Sequence, residues 1–325
     1  MFGFDVVGDV REVLSETEPD AASGRYVVRF VSSEYGEGLK KDRFIGPRAA
    51  DVGVPVPRLV HHGEVALAVG NVSDEERSQH SESAFPLGFS ICDRMPGEHM
   101  GELQDADRQH LISATVRTID MISVIDISDT RGYGWFDGDG DGDGNGNGKH
   151  ASWFDYLGAQ VFPEGVNDYF DRRCSWFDEG FLDYDVFRRL SDRMMTLASS
   201  IPEIDRSVVH MEFGYDNTLV EDDEVSAALD WDNSIIGDHF YDGAWNDLYM
   251  PKLDFKQLFA DRYELTGRVV PGFDGRWLCF QIHVGLQALQ WYGVANKPEA
   301  YEWMKAQTLH VVGDGPNVGR HPDSL

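Results

Sequence analysis

The sequence predicts an α+β protein built in two lobes, one over residues 1–97 and a larger one over residues 98–325. A chain of 325 residues is long enough for a large hydrophobic core and for two lobes. Its early part contains short runs that alternate apolar and polar residues, which is typical of strands. Its later part contains longer segments with apolar residues at helical spacing. We therefore expect strands mainly in the first lobe and helices mainly in the second.

In the first lobe, residues 24–31 (GRYVVRFV) alternate in the way that suits a buried strand. The prolines of VPVPRLV then indicate an extended, turn-rich approach to a pair of strands. Residues 71–83 are polar and carry no core pattern, so we expect a loop there. Apolar character returns at residues 89–95 (FSICDRM), and Pro96 and Gly97 end that run.

The second lobe contains most of the predicted helices. Apolar residues at helical spacing predict four of them, over residues 103–125, 186–201, 255–265 and 278–291. Two aromatic-rich segments, residues 153–157 and 162–181, are predicted helices beside the substrate cleft. Residues 313–325 carry no such pattern, and we expect that end of the chain to be frayed.

Residues 137–148 form the most unusual tract, DGDGDGDGNGNG. Alternating Asp and Gly invites a calcium interpretation, but an EF-hand loop requires Glu at its twelfth position. Counted from Asp137, that position is Gly148. The tract therefore favours a flexible, solvated acidic loop over a calcium site.

The charge balance excludes some classes of partner. A net charge of -29 leaves no basic stripe for nucleic-acid phosphates, so we expect no nucleic-acid partner. An excess of acid along the whole chain suits a protein kept soluble in high salt, which predicts a halophilic host. An acidic substrate-binding face is the alternative explanation.

Cysteine usage and hydropathy point to the cytoplasm. Cys92, Cys174 and Cys279 lie far apart without CxxC spacing, so we predict neither a disulfide framework nor a zinc site. The chain shows no signal-peptide pattern and no apolar run of membrane-spanning length. We expect a soluble, cytoplasmic protein without a membrane partner, and the sequence does not indicate its oligomeric state.

The central motif spans residues 210–232, HMEFGYDNTLVEDDEVSAALDWD. A carboxylate at Glu212 is followed five positions later by Asn217, and a hairpin pattern then ends at Asp230. Phosphoryl transfer needs a carboxylate that orients and deprotonates the attacking hydroxyl, and oxygen ligands that hold magnesium across the phosphates. The spacing of these three residues matches the catalytic Asp, the Asn and the second metal-binding Asp of kinases.

This motif, followed by LDWDN and GDHFYD, resembles the signature of the aminoglycoside and choline phosphotransferase family, a branch of the protein-kinase-like fold. GRYVVRF, KKDRF, VPVPRLVHHGEV and FSICDRMPG are similar, in the same order, to segments of its hygromycin B phosphotransferase branch. The resemblance covers most of the chain from about Gly24. It implies a small antiparallel-sheet first lobe that binds nucleotide, and a larger, mainly helical second lobe for catalysis and substrate binding.

The resemblance also implies roles for residues of the first lobe. Arg29 would grip the nucleotide phosphates, although a strand Arg that faces solvent is the alternative. Its acidic partner would be Asp42, with Glu37 as an equal candidate. Residues 92–95 would form the hinge whose backbone groups hold adenine, unless they form only an edge strand. The hinge residues are Cys92, Asp93, Arg94 and Met95.

In the second lobe, the resemblance implies that Glu212 is the catalytic base. Asn217 and Asp230 would bind Mg²⁺, because both offer hard oxygen donors. His210 is expected to brace the loop by a hydrogen bond, and Asp242 is a weaker candidate for contact with a substrate cation. The roles of two further carboxylates are left open. Asp232 assists at the metal or faces solvent, and Asp238 is expected to hold the loop instead of contacting the substrate.

The predicted function is an ATP- or GTP-dependent, Mg²⁺-requiring transfer of phosphate to a hydroxyl of a small molecule, such as an aminoglycoside, an aminocyclitol or a related metabolite. Two departures from the family keep a catalytically silent, kinase-like binding protein as the alternative. Glu212 stands where the family has Asp. MFGFDV resembles the family's second strand, so a first strand and its phosphate-covering loop are missing from this sequence, which indicates a start upstream of Met1 or an incomplete lid.

Overall fold

The computed structural model of the protein describes residues 25–32, 37–67, 85–136, 138, 146–161, 181–267 and 269–315. Three predicted segments lie outside these residues: the N-terminal strand of MFGFDV, the polar loop at residues 71–83, and the helix at residues 162–181 apart from its last residue. Most of the Asp-Gly tract and most of the predicted frayed end lie outside it as well.

The first sheet is antiparallel, with the strand order β1-β3-β2. Its strands are β1 (Tyr26–Ser32), β2 (Leu59–Leu67) and β3 (Phe85–Asp93). Arg29 of β1 lies opposite Ser90 of β3 in this sheet. Helix α1 (Glu37–Asp51) follows β1, and its fully buried Ile45 belongs to the main hydrophobic core. The core therefore anchors the helix that carries Asp42.

Two smaller antiparallel sheets follow. One has the order β4-β8-β9 and consists of β4 (Glu98–His99), β8 (Thr218–Glu221) and β9 (Glu224–Ala228). The other has the order β6-β5-β10-β7 and consists of β5 (Tyr133–Phe136), β6 (Gly148–His150), β7 (Ser207–Val209) and β10 (Ile235–Gly237). Both sheets contribute to the region of the central motif, which runs from β7 through the β8-β9 hairpin to β10.

Helices make up most of the later chain. They are α2 (Asp105–Ile122), α3 (Trp153–Val161), α4 (Tyr184–Ala198), α5 (Phe240–Tyr249), α6 (Phe255–Thr266), α7 (Phe273–Val294) and α8 (Pro298–Val311). The four helices predicted from apolar spacing are confirmed, with bounds shifted by a few residues. Helix α7 contributes many residues to the core, and Phe280, Ile282 and Leu286 are fully enclosed by it.

The pairing of β7 with β10 places two loops side by side. The strands are antiparallel, and Val209 lies opposite Ile235. The end of β7 therefore meets the start of β10. The loop that follows β7 carries Glu212 and Asn217, and the turn that precedes β10 carries Asp230, so these residues approach each other although they are separated in sequence.

The described residues of the Asp-Gly tract lie near its ends, while most of the predicted solvated loop lies outside the described residues. Gly138 is buried against α1, where a Cβ atom would lie 2.3 Å from the backbone of Lys40 and Lys41. Gly146 is buried at a φ of +66°, and a Cβ atom there would lie 2.4 Å from the Phe44 ring. Glycine permits both approaches because it has no Cβ, so these ends of the tract pack on the helix.

Among the described helices, none combines the length and the apolar character that crossing a membrane would require. Cys92 and Cys279, the two cysteines in the described residues, are free thiols. Cys174 lies outside the described residues.

Candidate active site

The loop after β7 is held by a buried carboxylate from helix α5. The two oxygens of Asp242 accept the backbone N–H groups of His210 and Met211, at 2.8 and 2.7 Å. Met211 has a φ of 78°, a conformation that is costly for a residue with a side chain and must be stabilised by its surroundings. Burial raises the pKa of Asp242 to about 7. With only 1% of its surface exposed, Asp242 does not fit the predicted contact with a substrate cation, and it positions the loop instead.

His210 ties this loop to the end of the β8-β9 hairpin. Its Nε2 lies 2.8 Å from the carbonyl oxygen of Leu229, and its ring centroid lies 4.5 Å from that of Trp231. The side chain is fully buried, and burial lowers its pKa to about 4. His210 is therefore neutral near pH 7 and donates a hydrogen bond to the hairpin, in the bracing position expected from the sequence.

Glu212 is held at both its backbone and its side chain. The Asn217 amide donates to the Glu212 carbonyl oxygen at 3.2 Å, and Asn233 Nδ2 donates to Glu212 Oε2 at 3.0 Å. Burial is the main reason that the pKa of Glu212 is raised, and the hydrogen bond from Asn233 opposes this shift. A carboxylate with a raised pKa is a stronger base once ionised, which suits proton abstraction from a hydroxyl.

Asn217 and Asp230 are brought together by the hairpin. The backbone N–H of Leu229 donates to the carbonyl oxygen of Asn217 at 2.9 Å, so the residue before Asp230 is fixed beside Asn217. Because the Asn217 amide nitrogen points to Glu212, its side-chain oxygen remains as a hard donor. Asp230 adopts left-handed backbone angles, with φ 62°, and 48% of its side chain is exposed. Its carboxylate is therefore accessible to a ligand.

The residue set fits a magnesium ion. Among the described residues, Oδ1 of Asp232 is buried without a hydrogen-bond partner, and Asp232 shares the Arg29 guanidinium with Asp230. A buried carboxylate oxygen without a donor is costly, so it indicates a cation or water on that side. Mg²⁺ prefers oxygen ligands and is usually bound by one or two carboxylates together with substrate phosphates. Asn217, Asp230 and Asp232 would hold it.

Arg29 lies at the centre of a cluster of carboxylates. Its guanidinium donates to Asp42 at 3.1 Å and to Asp230 at 3.0 Å, and it also forms a shorter ion pair with Asp232. Burial raises the pKa of Asp42 to about 6, although the charge of Arg29 opposes this shift. Three carboxylates around one cation leave an excess of negative charge, which favours a further cation at this point. The side chain of Glu37, the alternative partner, lies outside the described part of the structure.

A cavity of about 860 Å³ opens beside this cluster. The predicted hinge residues Cys92, Asp93, Arg94 and Met95 all line it, as do Arg29, Asp42 and Asp230. Apolar residues contribute much of the rest of the lining, among them Val27, Val56, Leu59, Leu219 and Leu229. A mostly apolar cavity with a few charged groups is the kind of site that takes a flat base and its phosphates.

Within the hinge, most polar groups already have partners. The Asp93 carboxylate accepts from Arg58 at 2.8 Å, and the backbone N–H groups of Asp93 and Arg94 donate to Arg58 and Arg25. Among the described residues, the N–H of Met95 has no backbone acceptor. Met95 therefore lines the cavity with a backbone N–H that no described backbone group accepts, whereas the Asp93 carboxylate already has Arg58 as its partner.

Two residues at the site were not singled out from the sequence. Asn233 donates to Glu212, and Lys41 donates to carbonyl oxygens of the turn that carries Asp232. Their only sequence signal is their position: Asn233 ends LDWDN, and Lys41 precedes Asp42 in KKDRF. Asp238, expected to hold a loop, does so, because it accepts from the Phe240 N–H and from Arg276.

Comparison with known proteins identifies relatives of the whole chain. A relative, the hygromycin-B 4-O-kinase of Escherichia coli, is 25% identical over 327 residues, which cover 98% of this chain and 84% of the kinase. Aminoglycoside phosphotransferase APH(4)-Ia, solved as a ternary complex with ADP and hygromycin B, superposes with a TM-score of 0.68 at 21% identity, over 92% of this chain and 90% of that one. A putative fructosamine-3-kinase from Haemophilus somnus gives a TM-score of 0.55 at 16% identity, over 94% and 95%.

The predicted fold class, α+β with the two-lobed architecture of protein kinases, is thereby confirmed. The resemblance to the aminoglycoside phosphotransferases is confirmed as well. A family model described as "Phosphotransferase enzyme family" matches residues 11–246, which is well over half of the chain. The chain belongs to the phosphotransferase enzyme family.

Proposed function

We propose that the protein is a Mg²⁺-dependent kinase that transfers phosphate from ATP or GTP to a hydroxyl of a small molecule. One observation carries this proposal: Arg29 contacts Asp42, Asp230 and Asp232 at the wall of the hinge cavity, and Asn233 of the same turn binds Glu212. Arg29, which suits phosphate binding, thus contacts the carboxylates that suit a metal ion. The turn of those carboxylates in turn contacts Glu212, which suits proton transfer.

Each group has a defined task in this proposal. The nucleotide base lies in the cavity against the hinge, and Arg29 binds its phosphates while Asp42 orients the guanidinium. Asn217, Asp230 and Asp232 would hold Mg²⁺, which would supply positive charge against the phosphoryl oxygens. Glu212 accepts a hydrogen bond from the acceptor hydroxyl and takes its proton as that oxygen bonds to the γ-phosphorus and the bond to the departing nucleoside diphosphate breaks.

Glu212 has one more methylene than the family's Asp, which extends the carboxylate by about 1 Å, and a displacement of that size can reduce a rate about 100-fold. The hydrogen bond from Asn233 supports a working base, because it holds Oε2 in one place. A retained carboxylate, together with Asn217 and Asp230, favours an active enzyme over a silent one. Slow turnover or a differently placed hydroxyl is the expected consequence.

For the nucleotide and the acceptor, we propose classes of molecule. APH(4)-Ia was solved with ADP, and aminoglycoside 2'-phosphotransferase-IIIa, with a TM-score of 0.53, was solved with GDP. Both ATP and GTP are therefore candidates. The likeness to a hygromycin-B kinase supports an aminoglycoside, an aminocyclitol or a related hydroxylated metabolite, and a net charge of -29 suits a cationic acceptor. Both nucleotides are intracellular, so we place the reaction in the cytoplasm, with high salt as the working medium.

The test is a transfer assay in high salt with Mg²⁺, both nucleotides and a panel of hydroxylated amines and sugars. We expect Glu212→Ala to reduce the rate by about 10² to 10⁴-fold, the range for loss of a general base. Glu212→Asp keeps the carboxylate and is expected to retain or raise the rate. Glu221→Ala, which removes an exposed Glu from the neighbouring strand, is the matched control.

The pH profile adds a second readout. Because burial raises the pKa of Glu212, and the base must be ionised, the rate is expected to fall as the pH drops through a pKa above that of a free Glu. That acidic limb should disappear in Glu212→Ala. If the native protein and Glu212→Asp both transfer phosphate to nothing in the panel, the enzyme proposal is wrong and the silent binding protein remains.

A further inference from the structure

The buried amine of Lys41 has no place in the roles described so far. Lys41 lies on α1, next to Asp42, and only 1% of its surface is exposed. Its Nζ donates to the carbonyl oxygens of Asp232 and Ser234, both at 2.8 Å, and lies 3.7 Å from the ring centroid of Trp135. A buried ammonium is costly unless hydrogen bonds and aromatic faces replace its water. These contacts show a site built around this cation.

The carbonyl acceptors of Lys41 lie within the turn Trp231–Asn233 and directly after it. The single turn Trp231–Asn233 presents Asp232 to Arg29 and Asn233 to Glu212. Asp230 begins the turn in a left-handed conformation, which a residue other than Gly keeps only when neighbouring contacts stabilise it. Whatever fixes this backbone therefore fixes both the metal carboxylates and the base.

Helix α1 reaches the turn through two adjacent residues of opposite charge. Asp42 shares the Arg29 guanidinium with Asp230 and Asp232, and Lys41 donates to the carbonyl oxygens of Asp232 and Ser234. An apolar residue in place of Lys41 would leave two carbonyl oxygens without this donor.

We propose that Lys41 is a positioning residue for phosphoryl transfer, whose ammonium fixes the Trp231–Asn233 turn on α1 so that Asp230 and Asp232 face the metal while Asn233 holds Glu212. This inference rests on the proposed function. It predicts that Lys41 acts through the metal site, although Lys41 is not among the residues that line the cavity.

The test compares Lys41→Met, which keeps the length of the side chain but not its charge, with Arg206→Met. Arg206 is a matched control, because it also donates to backbone carbonyls, those of Thr130 and Gly132, at a distance from the turn. We expect Lys41→Met to lower kcat by about 10- to 100-fold, as a displacement near 1 Å does. It should also weaken ADP binding in Mg²⁺, measured by calorimetry, whereas Arg206→Met should change neither. Lys41→Arg retains a cation with several donors and should recover part of both losses.

Metal removal separates positioning from general damage to the fold. With EDTA in place of Mg²⁺, ADP should bind to Lys41→Met and to the native protein equally, because the affected groups act through the metal. An equal loss with and without Mg²⁺, or native values for Lys41→Met, would overturn the inference. If the native protein binds Mg²⁺ and ADP but phosphorylates no acceptor, the proposed function is wrong. The ADP affinities of Lys41→Met and the native protein, each measured with and without Mg²⁺, still decide the role of Lys41. If the native protein binds no ADP, both are wrong.

Discussion

Arg276 and Arg29 both contact carboxylates, but in different ways. Arg276 is buried, whereas Arg29 lies at the wall of the cavity. Arg276 is 7% exposed, and its Nε and Nη2 donate to the two oxygens of Asp238 at 2.8 and 2.7 Å. Its guanidinium also lies 4.5 Å from the centroid of the Phe240 ring. Arg29 has 32% of its side chain exposed and shares its donors among Asp42, Asp230 and Asp232.

The difference lies in charge balance and access. Around Arg276, one bidentate carboxylate matches one guanidinium, and Asp238 has no exposed surface. Around Arg29, three carboxylates share one cation, and up to 48% of a partner side chain reaches solvent. A balanced, buried pair holds a fold together. An unbalanced, accessible cluster is ready to exchange one of its partners for a metal ion or a phosphate, as ligand binding requires.

The largest expected effect comes from breaking the balanced pair. Asp238→Asn should lower the free energy of unfolding by about 3–5 kcal/mol, because it leaves the buried guanidinium of Arg276 without its counter-charge. Urea denaturation followed by tryptophan fluorescence measures this change. A loss below about 1 kcal/mol would mean that the pair behaves like a surface ion pair, and the contrast with Arg29 would disappear.

The same substitution at the cavity wall should act on the reaction instead. Asp230→Asn is expected to lower the transfer rate about 10² to 10³-fold, the cost of one electrostatic group that stabilises the transition state. The free energy of unfolding should stay constant or rise, because one of three mutually repelling carboxylates is removed from Arg29. Initial rates at saturating nucleotide and a urea titration measure the two quantities. A native rate combined with a large loss of stability would make Asp230 a structural residue.

Sequence patterns identified the elements and the residue types of the site. Alternation in residues 24–31 and apolar spacing in residues 255–265 predicted β1 and α6 because local backbone geometry dictates both periods. The spacing of Glu212, Asn217 and Asp230 predicted that they serve one nucleotide. In the structure Asn217 and Asn233 donate to Glu212, and the residue before Asp230 donates to the carbonyl oxygen of Asn217.

Burial and direction could not be predicted in the same way. Asp230 and Asp242 are both Asp in the same motif region, yet one is half exposed and the other is 1% exposed and bonded to two backbone N–H groups. The difference arises from how α5 packs under the loop, which is a tertiary property. Lys41 shows the same limit, since no local rule says that its amine points to a turn 191 residues away.

The smallest effect is expected at Asp129, the exposed counterpart of Asp238. Arg48 also forms a bidentate pair, in which Nη1 and Nη2 donate to the two oxygens of Asp129 at 3.0 and 2.8 Å, but 59% of the Asp129 side chain is exposed. Asp129→Asn should lower the free energy of unfolding by less than about 1 kcal/mol. The loss should shrink in molar salt, where the screening length is about 3 Å, whereas the loss in Asp238→Asn should persist because salt does not enter a buried pair. Urea titrations at low and molar salt decide the matter, and equal salt dependence of the two variants would show that burial does not set the contribution of these pairs.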